Sequence, residues 1–157
     1  MKAVHALIGL AFLAALIGRW IALAEAARAG TIGDVRAMLS VSARFERIVV
    51  VSSVLVLLVG IATAVVQGRP FLGPFQGGHV DWLFVSLILV VSIIPLVPVV
   101  FLPRGRAFEA ALEEAARAGS VTARLRAAFG DPVVAAAHAY ELIAMLVVFV
   151  LMVMKPF

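Results

Sequence analysis

Residues 82–102 read WLFVSLILVVSIIPLVPVVFL, a run without a single charged side chain. An α-helix rising 1.5 Å per residue needs about 20 mainly apolar residues to cross roughly 30 Å of hydrocarbon, so this run is long enough to span a bilayer. Three more runs reach or approach that length: Ala3–Leu23, Ile48–Gln67 and Pro132–Met154. The totals agree, with 64% hydrophobic and 14% charged residues among 157 and a mean hydropathy of +1.16. A soluble domain carries about 45–50% apolar and 25% charged residues, so a single soluble core is excluded. Four spans also leave no room for a large extramembrane domain. The expected fold is an all-α membrane protein, a four-transmembrane-helix antiparallel bundle with cytoplasmic helical extensions, forming one integral membrane domain over residues 1–157.

The basic residues orient this bundle. Lys2, Arg69 and Lys155 fall on the side that holds both termini, whereas Arg28, Arg36, Arg44, Arg47, Arg104, Arg106, Arg117, Arg124 and Arg126 fall in the two long connections. Cytoplasmic loops carry the excess of Lys and Arg, which predicts a multi-pass protein of the bacterial inner membrane with both termini outside. This placement also argues against nucleic acid as a partner; the lipid bilayer is the expected one, joined by a homo-oligomeric copy or a partner membrane subunit. The start imitates a secretory signal, with Lys2, an apolar run and Ala22–Ala24 as a mock cleavage site. Arg19 and Trp20 interrupt that run, which favours a retained first helix. The chain has no cysteine, so disulfides, thiolate metal sites and cysteine nucleophiles are excluded.

The connections read as ordered helix. Residues 23–30, LAEAARAG, extend the first span and stop at Gly30, a C′ candidate; Thr31 and Asp34 then resemble a capping box that opens a helix running through Phe45 into the second span. The hexapeptide EAARAG at 25–30 recurs at 114–119, a pattern that fits either two parallel helical hairpins or repeated use of good helix formers before a glycine stop. Asp131 and Pro132 supply an N-cap and a first-turn proline for the last span. The outer connection 68–82 is rich in Gly, Pro and aromatics and reads as an interfacial loop. Packing between spans in lipid relies on small residues, and the pairs Ala14/Gly18, Gly60/Ala64 and Ala135/Ala139 are candidate close approaches. Pro95 and Pro98 remove two backbone donors, so a kink over Ile93–Pro98 is expected, with the carbonyls of Val91 and Ile94 either freed as ligands or a hinge, or the gap repaired by Ser92 or a neighbouring helix.

Ionisable residues inside a span are costly unless paired, which singles out Arg19, His138 and Glu141. His138 and Glu141 stand at i and i+3 on one helix face, about 9 and 14 Å from the cytoplasmic start of the last span, and Arg19 approaches from the same side. An intramembrane polar cluster is expected, extended by Tyr140 if helix rotation permits. It would serve either as a structural ion pair or as a proton relay or ligand set; a di-metal carboxylate centre is not expected, because the Glu-x-x-His step is reversed, single and without a glutamate inside another span. A second set gathers on the outer face, where His5, His79 and Asp81, with Met152 and Met154 nearby, could hold copper or zinc. His5 and His138 differ in depth by roughly 15 Å, so one haem cannot take both as axial ligands. No phosphate loop, nucleophile elbow, HExxH or EF-hand pattern occurs, and no catalytic residue is assigned.

The start Lys2-Ala3-Val4-His5-Ala6-Leu7-Ile8-Gly9, the segment Phe45-Glu46-Arg47-Ile48-Val49-Val50 with Gly60 beyond it, and the ending Leu151-Met152-Val153-Met154-Lys155-Pro156-Phe157 resemble a bacterial family of integral membrane proteins, the domain of unknown function numbered 2269. That resemblance implies four spans and no particular activity. The two ends are also distantly similar to HemJ-type protoporphyrinogen oxidase and to CopD-type membrane proteins. The residues that carry over to the oxidase are Lys2, Ala3, His5 and Lys155–Phe157, which implies haem b with His5 as ligand. The third span departs from it, with Ser86, Ser92, Pro95 and Pro98 where the oxidase has a Lys- and His-bearing stretch, and this argues against porphyrinogen oxidation. The leading expectation is therefore a structural or binding role around Arg19, His138 and Glu141, with a haem-b redox protein and outer-face copper or zinc handling as alternatives.

Overall fold

The computed structural model describes residues 2–156, with side chains from Ala3 onward. Phe157, the last residue of the family-like ending, and the Lys2 side chain lie outside the described residues. The described chain is helical throughout, in the order α1 (Lys2–Arg28), α2 (Ile32–Val66), a 3-10 turn (Gly73–Gln76), α3 (Trp82–Ile93), a π-helical turn (Val97–Phe101), α4 (Leu102–Ala118), α5 (Ala123–Phe129) and α6 (Pro132–Met154). Four helical stretches are long and apolar enough to cross a membrane, Ala3–Arg28, Ile32–Val66, Trp82–Ala118 and Ala123–Met154. α2 alone has 35 residues, or about 52 Å of helix, well beyond the roughly 30 Å of hydrocarbon. It must project, and its projecting end is the one that begins at Thr31.

Packing follows this division. α1 lies along α2, α6 touches both α1 and α3, and so α1 and α6 form the centre of the bundle. Their core is Phe12, Ala15, Leu16, Val49 and Met145, with Phe45, Val90 and Ile93 packed against it. A second core lies in the projecting part, where Val35, Ala111, Ala115 and Leu125 join the start of α2 to α4 and α5. There Phe108 and Phe129 meet edge to face at 4.9 Å. Lipid-facing side chains such as Val51, Leu58, Val91 and Val150 remain exposed, as they should be when hydrocarbon replaces water as solvent.

The caps follow the local chemistry. Thr31 Oγ1 accepts from the Asp34 amide at 3.1 Å and its hydroxyl donates to the Asp34 carboxylate at 2.7 Å, so α2 opens on the expected box. Asp131 accepts from the amides of Val133 and Val134 and opens α6, while Arg104 Nε donates to its other oxygen at 2.9 Å and ties the start of α4 to the start of α6. The two EAARAG copies end differently. Gly119 takes φ +66° and caps α4 in the left-handed region, whereas Gly30 stays outside that region and α1 closes with a short bond from the Ala29 amide to the Ala26 carbonyl. The expectation of a C′ glycine is thus corrected at Gly30 and met at Gly119, and the repeat in sequence is not a repeat of backbone geometry.

Three other expectations are revised. The carbonyls of Val91 and Ile94 are not free: the amides of Ile94 and Val97 reach them at 3.2 Å, and the wider π-turn then absorbs Pro98 so that helix continues into α4. Ser92 bonds the Leu89 carbonyl, one turn back, rather than repairing the proline gap. Among the small-residue pairs, Ala14, Ala135 and Ala139 are exposed; the inward face of α6 is Ala137, Glu141 and Ala144, and in α1 Ala15 is buried beside Gly18. An added Cβ at Gly18 would come within 2.6 Å of the Phe45 ring, and one at Gly60, near buried Ala64, within 2.9 Å of the His5 ring, so both glycines are close approaches between α1 and α2.

Candidate functional site

Two levels of the bundle hold an ionisable side chain buried among the helices. At the level where the long connections join the spans, Arg19, buried on α1, lies between two carboxylates: one guanidinium nitrogen donates to Glu46 of α2 at 2.7 Å and another to Glu141 of α6. One side chain therefore pins three helices. Glu141 is 7% exposed and depends on Arg19 for its charge partner, whereas the Glu46 side chain is 49% exposed. His138 lines the same small cavity, of about 10 Å³, together with Arg19, Trp20 and Glu141. That volume admits about one water. The imidazole of His138 stacks on Phe101 of the π-turn at 4.8 Å, so its ring also fixes the bent span against α6. Tyr140 turns away from the cluster and shares a 2.6 Å hydrogen bond with Ser92 of α3.

The predicted trio thus shares one site, but the reading of residues missed Glu46. It started the second span at Ile48 and left Glu46 outside, although a helix expected to run unbroken from Thr31 through Phe45 carries Glu46 into the same layer as Arg19. The signal was present in the helix continuity and was cut off at a hydropathy boundary.

At the opposite end, α2 and α3 stand apart around α1 and α6 and leave a cavity of about 360 Å³. His5, Gly9 and Phe12 of α1, Gly60 and Ala64 of α2, Trp82 and Ser86 of α3 and Met145 and Met152 of α6 contribute to its wall. The wall's small polar groups are spoken for: Ser86 donates to the Trp82 carbonyl at 2.7 Å and Thr63 to the Val59 carbonyl at 2.6 Å. His5 is the exception, since its Nδ1 is buried without a hydrogen-bond partner among the described residues. Its ring lies against the bare backbone of Gly60, where a Cβ would fall 2.9 Å from Cε1. A side chain at Gly60 would have to displace the imidazole from this place.

Two cations stand at the cavity mouth. The Arg69 guanidinium lies 5.6 Å and the Lys155 ammonium 5.7 Å from the centroid of the Trp82 ring. Lys155 ends α6 with φ +46°, the one described non-glycine residue with positive φ, at a position where glycine is the common choice. The left-handed conformation costs a non-glycine residue roughly 1–2 kcal/mol. The outer-face set divides: His5 is in the cavity wall, His79 is exposed on the loop, and Asp81 accepts from the Phe84 amide at 2.9 Å as the N-cap of α3. Met152 lines the cavity and Met154 is exposed. Among the described residues no three His, Asp or Glu side chains are grouped so as to hold a metal ion.

No curated protein and no solved structure matches this chain. Four apolar spans agree with a family match that covers nearly the whole sequence: over residues 1–156 the chain belongs to the family described as predicted integral membrane protein, the domain of unknown function DUF2269.

Proposed function

We propose that this protein is a membrane-embedded binding protein of the bacterial cytoplasmic membrane, which takes an apolar ligand into the cavity beside His5. The cavity carries this reading. Its 360 Å³ falls within the roughly 300–1,000 Å³ of small-molecule sites, and it combines mostly apolar walls with a few placed polar groups. The Arg19 cluster holds the cytoplasmic ends of α1, α2 and α6 together and so keeps the outer ends at the spacing that leaves the cavity open. With nine arginines in the two long connections against three basic residues on the terminal side, the termini and the cavity mouth face outward. A C-terminal reporter active only in the cytoplasm would overturn that orientation.

The test is to purify the protein in a mild detergent, extract it with organic solvent and identify what co-purifies by mass spectrometry. One apolar compound at near-stoichiometric level, lost when Ser86→Phe fills the wall, is the expected result; the same lipid profile in both proteins would overturn the reading. Haem b is the second reading, favoured by the imidazole of His5 in the wall and the thioethers of Met145 and Met152 along it, which are the donor types of histidine–methionine haem sites. His5 would hold the iron and the rim cations would face the propionates, and the group would supply one-electron redox chemistry. The same purified sample decides it: a Soret band lost in His5→Ala supports haem, and colourless protein from haem-replete cells rules it out.

A further inference from the structure

We infer that the cavity ligand carries an acidic end group, held at the mouth by Arg69 and Lys155 beside Trp82. The inference rests on the binding reading above and specifies its ligand. Arg69 follows the end of α2 and Lys155 caps α6, yet both cations stand within 6 Å of the same ring centroid, at 5.6 and 5.7 Å, and both line the cavity that Trp82 also lines. Two like charges drawn to one ring repel each other, and more strongly beside an apolar cavity than in water. An aromatic face attracts each cation but does nothing to the repulsion between them. An anion between them does.

Among the described residues no side chain offers one. Of nine acidic residues only Asp81 belongs to the outer connection, and its carboxylate is committed to the Phe84 amide at the start of α3. Neither Arg69 nor Lys155 makes an ion pair among the described residues, although Arg19, Arg28, Arg104, Arg117 and Arg124 all do. Outer-side basic residues also run against the charge rule that orients the protein, so two of them converging on one buried ring calls for a local reason. Apolar walls with a doubly cationic mouth fit an amphiphile that buries its chain and leaves a carboxylate or phosphate at the interface. A free acid and an anionic phospholipid share that chemistry.

Trp82 reports on the site directly. In a Trp20→Phe background Trp82 is the only tryptophan, and bromine in the cavity will quench its fluorescence. Titrating the detergent-purified protein with dibromostearic acid is expected to give saturable quenching, reversed by unbrominated stearate, at concentrations about tenfold below those needed with the methyl ester. Arg69→Gln with Lys155→Gln is expected to bring acid and ester together. Dibromo-phosphatidylglycerol acting at lower concentration than the free acid assigns the phospholipid as the source, and the reverse order assigns the free acid. Acid and ester quenching equally in the parent protein would overturn the acidic end group and leave the cavity reading standing. No saturable quenching by any of the three would overturn both.

Discussion

Arg19→Ala is expected to destabilise the protein by about 3–5 kcal/mol, because it leaves the carboxylate of Glu141 inside the bundle without its charge partner. Glu141→Ala should cost less, since Arg19 keeps its 2.7 Å bond to the half-exposed Glu46. Glu141→Gln should cost least, because an amide oxygen still accepts from the guanidinium. The double replacement Arg19→Met with Glu141→Leu removes both buried charges and keeps apolar volume, so it should return close to the parent stability: a buried ion pair is strongly destabilising to break and often close to neutral to replace whole. Reversible unfolding in mixed micelles reads all four variants. If Arg19→Ala unfolds with the parent protein, or if the double variant is worse than Arg19→Ala, the cluster is not the pin that holds α1 to α6.

This ordering also separates glue from chemistry at the inner site. A cluster that serves only to fix helix register can be replaced by methionine and leucine without loss of whatever the outer cavity binds. Its position supports that division, since the apolar core of Phe12, Leu16 and Met145 lies between the charged level and the cavity. Phe12 and Met145 belong to both the core and the cavity wall, so motion at the inner level has a packed route to the outer one.

Much of this was legible in the residues because the constraints involved are local or act on one helix at a time. Bilayer-length apolar runs, the Thr31 and Asp131 caps and the break in helix between the second and third spans each follow from neighbours in sequence, and all are met. The trio Arg19, His138 and Glu141 was legible because a charge in a span needs a partner, and few were on offer. What escaped depended on rotation and depth. Ala135 and Ala139 looked like a close-packing pair by spacing, but the inward face of α6 is set by Glu141 seeking Arg19, which turns Ala137 and Ala144 inward instead. Glu46 escaped because hydropathy ended the span two residues short, although helix continuity did not. The cavity itself could not be read from any run, since it is the space left where α2 and α3 splay around α1 and α6.

Gly18→Ala is the second change with a large expected effect, about 1–3 kcal/mol from overpacking, and Gly18→Leu should exceed it. A Cβ at Gly18 would stand 2.6 Å from two ring atoms of Phe45, closer than carbon atoms can approach, and the ring cannot simply swing away because it is packed against the Phe12–Leu16 core. The helices must part instead. They would part at the level of the neighbouring residues Arg19 and Glu46, whose 2.7 Å bond is the tie between α1 and α2. Two consequences distinguish this from a generic loss of stability. Phe45→Leu, which shortens the opposing side chain, should recover part of what Gly18→Ala loses, although on its own it removes core volume. The costs of Gly18→Ala and Glu46→Gln should also sum to more than the double variant shows, because once the helices have separated the bond to Glu46 is already weakened, and neighbouring changes on one contact do not add. Strict additivity in the same mixed-micelle unfolding assay, together with no recovery by Phe45→Leu, would mean that the contact at Gly18 yields without moving the backbone and that the spacing of α1 and α2 is set elsewhere.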